Sequence, residues 1–130
     1  MVNYEVIVSA SASFCASLTL SALNSDCGKE HGYTFKITAF VYIEQKQKDC
    51  FILDYSVLQS SLGAICKQLD YSNLNKNPLL KNIEPFSENI AKWLIEQLEQ
   101  DLVAKKINYQ KVQVKIITKP GCAVTVGKKP

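Results

Sequence analysis

The sequence predicts an α+β domain in which a four-stranded antiparallel sheet carries two helices on one face. Two long segments near the N-terminus alternate apolar and polar residues, as half-buried strands do. Two later segments repeat apolar residues every three or four positions, as amphipathic helices do. Two more alternating segments flank the turn Lys119–Gly121 and resemble a hairpin. The order strand, strand, helix, helix, strand, strand groups both helices on one side of the sheet.

The first two strands are predicted at residues 3–14 and 33–45, where apolar and polar side chains alternate. In the first segment only Ile7 breaks the alternation. Residues 15–32 are rich in Ser, Ala, Asn and Gly, so we expect a loop. This loop is long for a hairpin connection, and long loops on compact domains are often functional.

The two helices are predicted at residues 54–69 and 87–103. Asp54 and Ser87 are suitable N-cap residues, and Glu88 would place an acid in the first turn of the second helix. Gly63 lies inside the first helix, where glycine costs about 0.5–1 kcal/mol relative to alanine. We therefore expect Gly63 to permit close packing.

The remaining segments are a connector and a terminal hairpin. Residues 70–86 are rich in asparagine and contain two prolines, which is typical of a turn-rich connector. The last two strands are predicted at residues 109–118 and 122–126, joined by the Lys119–Gly121 turn.

Length and composition indicate one globular domain over residues 1–130. The chain has 130 residues, of which 47% are hydrophobic and 21% charged, a typical globular balance. No apolar run approaches the roughly 18–20 residues of a membrane-spanning helix. The N-terminus lacks the positive region of a signal peptide, so we expect a cytoplasmic protein. Its five cysteines show no CxxC spacing, which favours free thiols.

The net charge of +3 is small but unevenly distributed. From Leu102 to the end the chain has seven lysines and no acidic residue. A basic segment can attract nucleic acid. However, the chain contains no arginine, the usual bidentate partner of phosphates and guanine edges. A solvated lysine-rich hairpin is therefore the favoured interpretation, and nucleic-acid binding is not expected.

Residues 26–35 carry the most chemically suggestive pattern. Cys27 is followed by the only histidine, His31, and by Tyr33, which would share a face with His31 if both lie on a strand. Cys15 is a further donor that could join Cys27 and His31 around a metal ion. The alternative is that Cys27 is an ordinary loop thiol and that His31 bonds to the backbone. The sequence leaves both open.

Six short motifs stand in order along the chain: Val8–Ser11, Cys27–Tyr33, Ile52–Leu58, Leu69–Asn75, Pro85–Asn89 and Val112–Ile116. They resemble the motifs F-S-A-S-H, C-x-x-x-H-G-H, V-x-D-F-x-x-L, L-D-H-x-x-L-N, P-T-x-E-N and V-x-V-x-E of one family. That family contains the 6-pyruvoyl tetrahydropterin synthases and the bacterial 6-carboxytetrahydropterin synthases of queuosine biosynthesis.

The resemblance implies the tunnelling fold (T-fold) and a particular assembly. In this family three chains close a twelve-stranded β-barrel, and two such trimers stack into a hexamer. A small sheet with two free edges also favours association edge to edge. We therefore expect a homo-oligomer, and specifically a homohexamer formed as a dimer of trimers.

The resemblance also implies a zinc site made by three histidines. Matched residue by residue, the last position of the first motif falls on Ala12, and the two histidines of H-G-H fall on His31 and Tyr33. An alternative alignment on Phe14–Ser17 moves the first position to Leu18. In either alignment His31 is the only retained ligand, and the replacements are poor donors to zinc. Although zinc is the family's metal, we expect no cofactor here.

The family's proton-transfer groups and ligand anchor are changed as well. Cys27 matches the catalytic base and Asp70 is retained from L-D-H, but Tyr71 replaces its histidine. A tyrosine of ordinary pKa near 10 is poorly suited to carrying protons at neutral pH. The glutamate that anchors the pterin falls on Ile116, which would leave ring donors unmatched at roughly 1–3 kcal/mol per group. Glu88 remains a candidate for substrate binding.

Each of these positions also has a structural interpretation. Asp70 would cap the turn after the first helix, and Glu88 would serve the first turn of the second helix. Tyr33 and Tyr71 would fill the altered site, either blocking it or offering a stacking surface.

Two functional hypotheses follow from the resemblance. In the first, the chain is a pseudoenzyme without zinc that binds a planar pterin or purine-like ligand or serves as a partner subunit. In the second, it is an active zinc-dependent tetrahydropterin synthase, a lyase, with a rebuilt site. The replacements at three separate motifs favour the first hypothesis, and the zinc content of the purified protein distinguishes the two.

Overall fold

The structure, a computed structural model, describes residues 4–20, 31–45 and 53–130. Its elements in chain order are β1 (Tyr4–Leu18), β2 (His31–Gln45), α1 (Tyr55–Lys67), β3 (Ser72–Asn73), a 3-10 helix (Pro78–Leu80), α2 (Ser87–Ala104), β4 (Lys111–Lys119) and β5 (Cys122–Gly127). The α+β class and the order of the four long strands and two helices are confirmed.

The sheet has five strands in the order β3-β1-β2-β4-β5, so the prediction of four strands is wrong. The four long strands are antiparallel, whereas β3 pairs in parallel with Ala16 and Ser17 of β1. A strand of two residues carries no periodic pattern, and only its contact with β1 defines it. The sheet is therefore mixed.

The β1–β2 hairpin extends further than the sequence pattern indicated. Residues 15–18 and 31–32, which were predicted to be loop, belong to the strands. The apolar alternation continues weakly through Ala16 and Leu18, both of which are buried. Ala16 has a small side chain, and Leu18 is a single large apolar residue after Ser17. The alternation of apolar and polar residues therefore appeared to end at Phe14.

Both helices cover one face of the sheet. The buried side chains come from even positions of β1, odd positions of β2 and even positions of β4, and α1 packs against β1 while α2 packs against β4 and β5. At the centre of this core the rings of Phe14 and Phe35 stack at 4.7 Å between centroids. The opposite face, here called the outer face, is rich in hydroxyl groups, and Ser11 Oγ lies 3.0 Å from Thr38 Oγ1.

The helix starts agree only in part with the sequence. Asp54 is the N-cap of α1, and its side chain accepts from the Ser56 N–H at 2.8 Å. Ser87 is not the N-cap of α2, because the carbonyl of Phe86 accepts the first helical bonds and Ser87 is already helical. Glu88 lies in the first turn as expected.

Gly63 does not permit a close approach of neighbouring elements. A Cβ atom placed at this position would meet no atom within 4 Å outside its immediate surroundings. The expectation of close packing is therefore wrong. Among the described residues, no helix is both long and apolar enough to cross a membrane.

Candidate functional site

The pairing of β1 with β2 decides which residue faces His31. Leu18 lies directly opposite His31, whereas Ala12 pairs with Ile37. Leu18 lies six positions after Ala12, which is about 20 Å along a strand at roughly 3.3 Å per residue. The placement of Ala12 beside His31 is therefore wrong, and the alternative alignment, which places Leu18 there, has the correct geometry.

Leu18 and Tyr33 line a cavity of about 190 Å³ on the helix side of the sheet, here called the inner cavity. Its other lining residues are mostly apolar, with three polar residues at the start of α2 and the end of β4: Leu20, Phe35, Pro85, Phe86, Ser87, Glu88 and Thr118. Leu18 is only 5% exposed. An apolar side chain thus occupies the place next to His31.

The described residues of this corner do not fit a zinc ion. Leu18 has no donor atom, and Tyr33 offers a phenol in place of an imidazole. Among residues 4–20, 31–45 and 53–130, no three His, Cys, Asp or Glu side chains lie close enough together to hold a metal. A protein zinc site needs three or four such donors. Cys27 lies outside the described residues, so its role stays a prediction.

Cys15 does not share a face with His31. Cys15 pairs with Thr34, and its Sγ lies 3.6 Å from Thr34 Oγ1 on the outer face. His31 is three residues before Thr34 on β2, so alternation directs its side chain to the opposite face. The structure therefore does not bring Cys15 and His31 together at one site.

The connector is fastened to the end of β1 through Asp70 and Tyr71. The Cys15 N–H donates to Asp70 Oδ1 at 2.8 Å, and the Tyr71 N–H donates to the Cys15 carbonyl at 2.6 Å. The turn after α1 is held instead by Ser72, whose hydroxyl donates to the Leu69 carbonyl at 2.7 Å. The interpretation of Asp70 as the cap of that turn is therefore wrong.

Two further contacts extend this fastening. The Leu74 N–H donates to the Ser17 carbonyl at 2.8 Å. The side chain of Asn75 accepts from the Thr19 N–H at 2.7 Å and donates to the Thr19 carbonyl at 2.9 Å. The spacing of the L-D-x-x-x-L-N motif thus has a structural role, because its Asp and Leu positions bond to β1 and its Asn position bonds to Thr19, the residue after β1.

Tyr71 stands at the edge of a second cavity, here called the outer cavity. This cavity measures about 500 Å³ and is widely open to solvent. Its described lining residues come from β1, β2 and the connector and carry no charged side chain: Cys15, Ala16, Ser17, Gly32, Tyr33, Thr34, Tyr71, Ser72 and Asn73. Sequence reasoning missed Gly32, Ser72 and Asn73, although all three fall inside quoted motifs.

Of the residues that the structure describes, Tyr33 alone lines both cavities. Its ring lies 6.2 Å from that of His31 and 6.0 Å from that of Phe35, measured between centroids. These neighbours hold Tyr33 in place on both sides. Tyr33 therefore lies between the two cavities, in a row of rings formed by His31, Tyr33 and Phe35.

The last two sequence-predicted positions are Ile116 and Glu88. Ile116 is 2% exposed and belongs to the hydrophobic core, paired with Ile37 and Val124. Ile116 is not among the described residues that line either cavity, and its correspondence to the anchoring glutamate stays a prediction. Glu88 is exposed at the rim of the inner cavity.

Cys66 is a buried thiol near the end of α1. Burial raises the pKa of the Cys66 thiol to about 12, and the negative charge of Asp70 contributes in the same direction. A thiol with so high a pKa is almost entirely protonated at neutral pH, and the thiolate is the reactive form. Cys66 is therefore a packing residue.

Comparisons of the chain with known proteins identify similar sequences. A family model described as 6-pyruvoyl tetrahydropterin synthase matches residues 7–129. A dihydroneopterin monophosphate aldolase of Pyrococcus furiosus is 35% identical over 72 residues, which are 55% of this chain and 58% of that protein. The match thus spans less than two thirds of the length of that relative.

Solved structures of similar fold include two enzymes named as 6-pyruvoyl tetrahydropterin synthases. The one from Caenorhabditis elegans has a TM-score of 0.79 and 19% identity, and 97% of each chain is covered. A variant of the one from Plasmodium vivax has a TM-score of 0.79 and 16% identity, with 98% of this chain and 99% of that chain covered. At these identities the likeness establishes the fold alone.

Proposed function

Because the chain belongs to the 6-pyruvoyl tetrahydropterin synthase family, which matches residues 7–129, we propose that it is a pseudoenzyme of that family. It binds a planar pterin or purine-like ligand without zinc and does not perform zinc-dependent chemistry. One observation carries this proposal. Leu18, buried and without a donor atom, lies directly opposite His31, where a second imidazole would be needed.

The outer cavity is the better place for such a ligand. Cavities that bind small molecules usually measure roughly 300–1,000 Å³. The outer cavity, at about 500 Å³, falls within this range, whereas the inner cavity, at about 190 Å³, is too small for a bicyclic ring with a side chain. The ligand therefore lies against Cys15, Thr34 and Tyr71.

We further propose that the protein is a single-domain homohexamer of the cytoplasm. The outer edge of β1 bonds to β3 only at Ala16 and Ser17, so residues 4–14 have no partner strand on that side among the described residues. Such an edge favours pairing with another chain. Native mass spectrometry tests this, and a mass six times that of one chain is expected.

The zinc-free state is tested by rebuilding the site. We expect wild-type protein to carry well under one zinc ion per chain, even after it has been dialysed against a buffer that contains zinc. The double substitution Leu18→His with Tyr33→His adds two imidazoles beside His31 and should raise the zinc content towards one per chain, since three histidines suffice for a site with one open position. Zinc is measured by inductively coupled plasma mass spectrometry.

Ala12→His with Tyr33→His is the matched control. It adds the same number of histidines, but one of them lies about 20 Å from His31, so it should not gain zinc. About one tightly bound zinc ion in the wild-type protein would contradict the proposal. Turnover of dihydroneopterin triphosphate that disappears in Cys27→Ala would favour an active synthase with a rebuilt site.

A second candidate function is carbon–carbon bond cleavage of a dihydroneopterin phosphate. It is favoured by the 35% identity over 72 residues with a protein named as a dihydroneopterin monophosphate aldolase. Incubation with dihydroneopterin monophosphate and detection of a released aldehyde tests it. Release that depends on Cys27 or Asp70 would support this function, and release equal to that of a buffer blank would exclude it.

A further inference from the structure

Tyr71 is held in an unusual position. Its φ angle is 54°, in the left-handed region that residues with a side chain seldom adopt. Its backbone N–H is bonded to Cys15, and Asp70 before it is bonded to the same residue. The N–H and the carbonyl of Cys15 on β1 thus both bond to this pair of residues, which fixes the position of the Tyr71 backbone. The side chain is therefore presented from a defined place.

The ring of Tyr71 is nevertheless left uncovered. Its side chain is 87% exposed, the highest value among the large apolar side chains that the structure describes. The left-handed conformation accompanies the bond from the Tyr71 N–H to the Cys15 carbonyl, but it is unfavourable for a residue with a side chain, and the exposed ring offsets none of this cost. Unfavourable backbone conformations of this kind tend to occur at sites of function.

The floor of the outer cavity beside Tyr71 consists of small side chains. Cys15, Ser17, Gly32 and Thr34 line it on β1 and β2. A Cβ atom placed on Gly32 would meet no atom within 4 Å, so the space above this glycine is open. A flat ring can therefore lie over this floor with the Tyr71 phenol against it.

The chemical character of the lining indicates the class of ligand. The described lining residues offer a thiol and a hydroxyl, Cys15 Sγ and Thr34 Oγ1, which are 3.6 Å apart. None of these residues is charged. Phosphate groups are usually held by Lys, Arg or a cluster of backbone N–H groups, and the cavity offers no lysine among its described residues. It suits an uncharged ring.

Resting on the proposed function, we infer that Tyr71 is a stacking residue for the ligand and that the ligand is a flat, uncharged heterocycle without a phosphate group. Asp70 acts as a positioning residue that holds the Tyr71 backbone through Cys15. The site would thus take the free pterin in preference to its triphosphate ester.

The test compares neopterin with neopterin triphosphate, which differ only in the phosphate groups. Binding to the full chain is measured by titration calorimetry for wild type, Tyr71→Asn, Tyr71→Phe and Tyr55→Asn. Asparagine tolerates a positive φ better than tyrosine, so Tyr71→Asn should not lower the melting temperature. Tyr55 is a matched control because it is also strongly exposed, at 70%, but lies at the start of α1.

We expect Tyr71→Asn to weaken neopterin binding by roughly tenfold or more, the usual effect of losing one stacked aromatic ring. Tyr71→Phe should retain most of the affinity, and Tyr55→Asn should match wild type. Neopterin should bind at least as tightly as its triphosphate.

Three outcomes overturn the inference while the proposed function stands. The first is an unchanged affinity for neopterin in Tyr71→Asn. The second is a change in the oligomeric mass of that variant without a change in affinity, which would place Tyr71 at an interface between copies. The third is much tighter binding of neopterin triphosphate than of neopterin by the wild-type protein. If wild-type protein binds neither compound, both the inference and the proposed ligand function fail.

Discussion

Replacing Asp70 tests whether this carboxylate holds the connector or serves a reaction. Its described hydrogen bond is from the Cys15 N–H, at 2.8 Å, and a hydrogen bond to a charged group contributes roughly 1.5–3 kcal/mol. The bond is exposed to solvent, so water can replace it in a variant. We therefore expect Asp70→Ala to lower the free energy of unfolding by about 1 kcal/mol.

Asp70→Asn provides the decisive comparison. Its amide oxygen can still accept from the Cys15 N–H, so we expect a loss below about 0.5 kcal/mol. For a chain of this size, 1 kcal/mol corresponds to roughly 3–5 °C in melting temperature. Differential scanning calorimetry resolves this difference between the two variants.

Amide hydrogen exchange shows where the effect occurs. In Asp70→Ala the N–H groups of Cys15 and Tyr71 should exchange faster, because both belong to the fastening of the connector to β1. Asp101→Ala is the control, since Asp101 on α2 forms its described ion pair with Lys105, the C-cap of the same helix. It should leave the exchange of Cys15 and Tyr71 unchanged.

The reasoning is refuted if Asp70→Asn is as unstable as Asp70→Ala, because then the charge rather than the hydrogen bond matters. It is also refuted if Asp70→Ala leaves both the melting temperature and the two amide exchange rates unchanged. Loss of a catalysed reaction in Asp70→Asn at full stability would restore the catalytic interpretation of this residue.

Three further predictions concern stability. Leu94→Ala should lower the free energy of unfolding by about 2–5 kcal/mol, because Leu94 is fully buried. Val103→Ala, at a residue that is 66% exposed, should change it by less than about 0.5 kcal/mol. Equal effects of the two substitutions in urea unfolding would contradict the described core. Gly63→Ala should stabilise the protein by about 0.5–1 kcal/mol, since the position is helical and has open space around it, and a lower urea midpoint would show that the space is not open. Burial raises the pKa of Cys66 from 9.0 to about 12, so its stabilising contribution is complete below pH 9 and is lost as the pH rises towards 12. The free energy of unfolding of wild type should therefore fall more steeply than that of Cys66→Ala between pH 8 and pH 11, and parallel profiles would contradict the burial of this thiol.

The secondary structure could be predicted well where burial follows a regular period. In β2, Phe35 to Ile43 alternate between the core and the outer face as expected. In α2 the apolar residues that recur every three or four positions between Ile90 and Leu102 are buried, as expected for an amphipathic helix. The prediction failed where the pattern was weak, as at Ala16 and Leu18, because small side chains between serines give little periodic signal.

The site could be predicted less well, because it depends on which distant residues meet. The motif positions of His31, Tyr33 and Asp70 were found from spacing, but spacing allowed two alignments of the first strand. Only the pairing of Leu18 with His31 excluded Ala12. The N-cap of α2 at Phe86, rather than at Ser87, likewise depends on how the connector enters the helix.

The sequence by itself determined the α+β class, the family resemblance and the scarcity of imidazole, because periodicity, motif order and composition are local properties of the chain. The tertiary structure alone decided the register of β1 on β2, the pairing of Ser72 with β1 and the partner of Asp70. These features join residues far apart in the chain, and their geometry depends on backbone hydrogen bonds that form only when the sheet assembles.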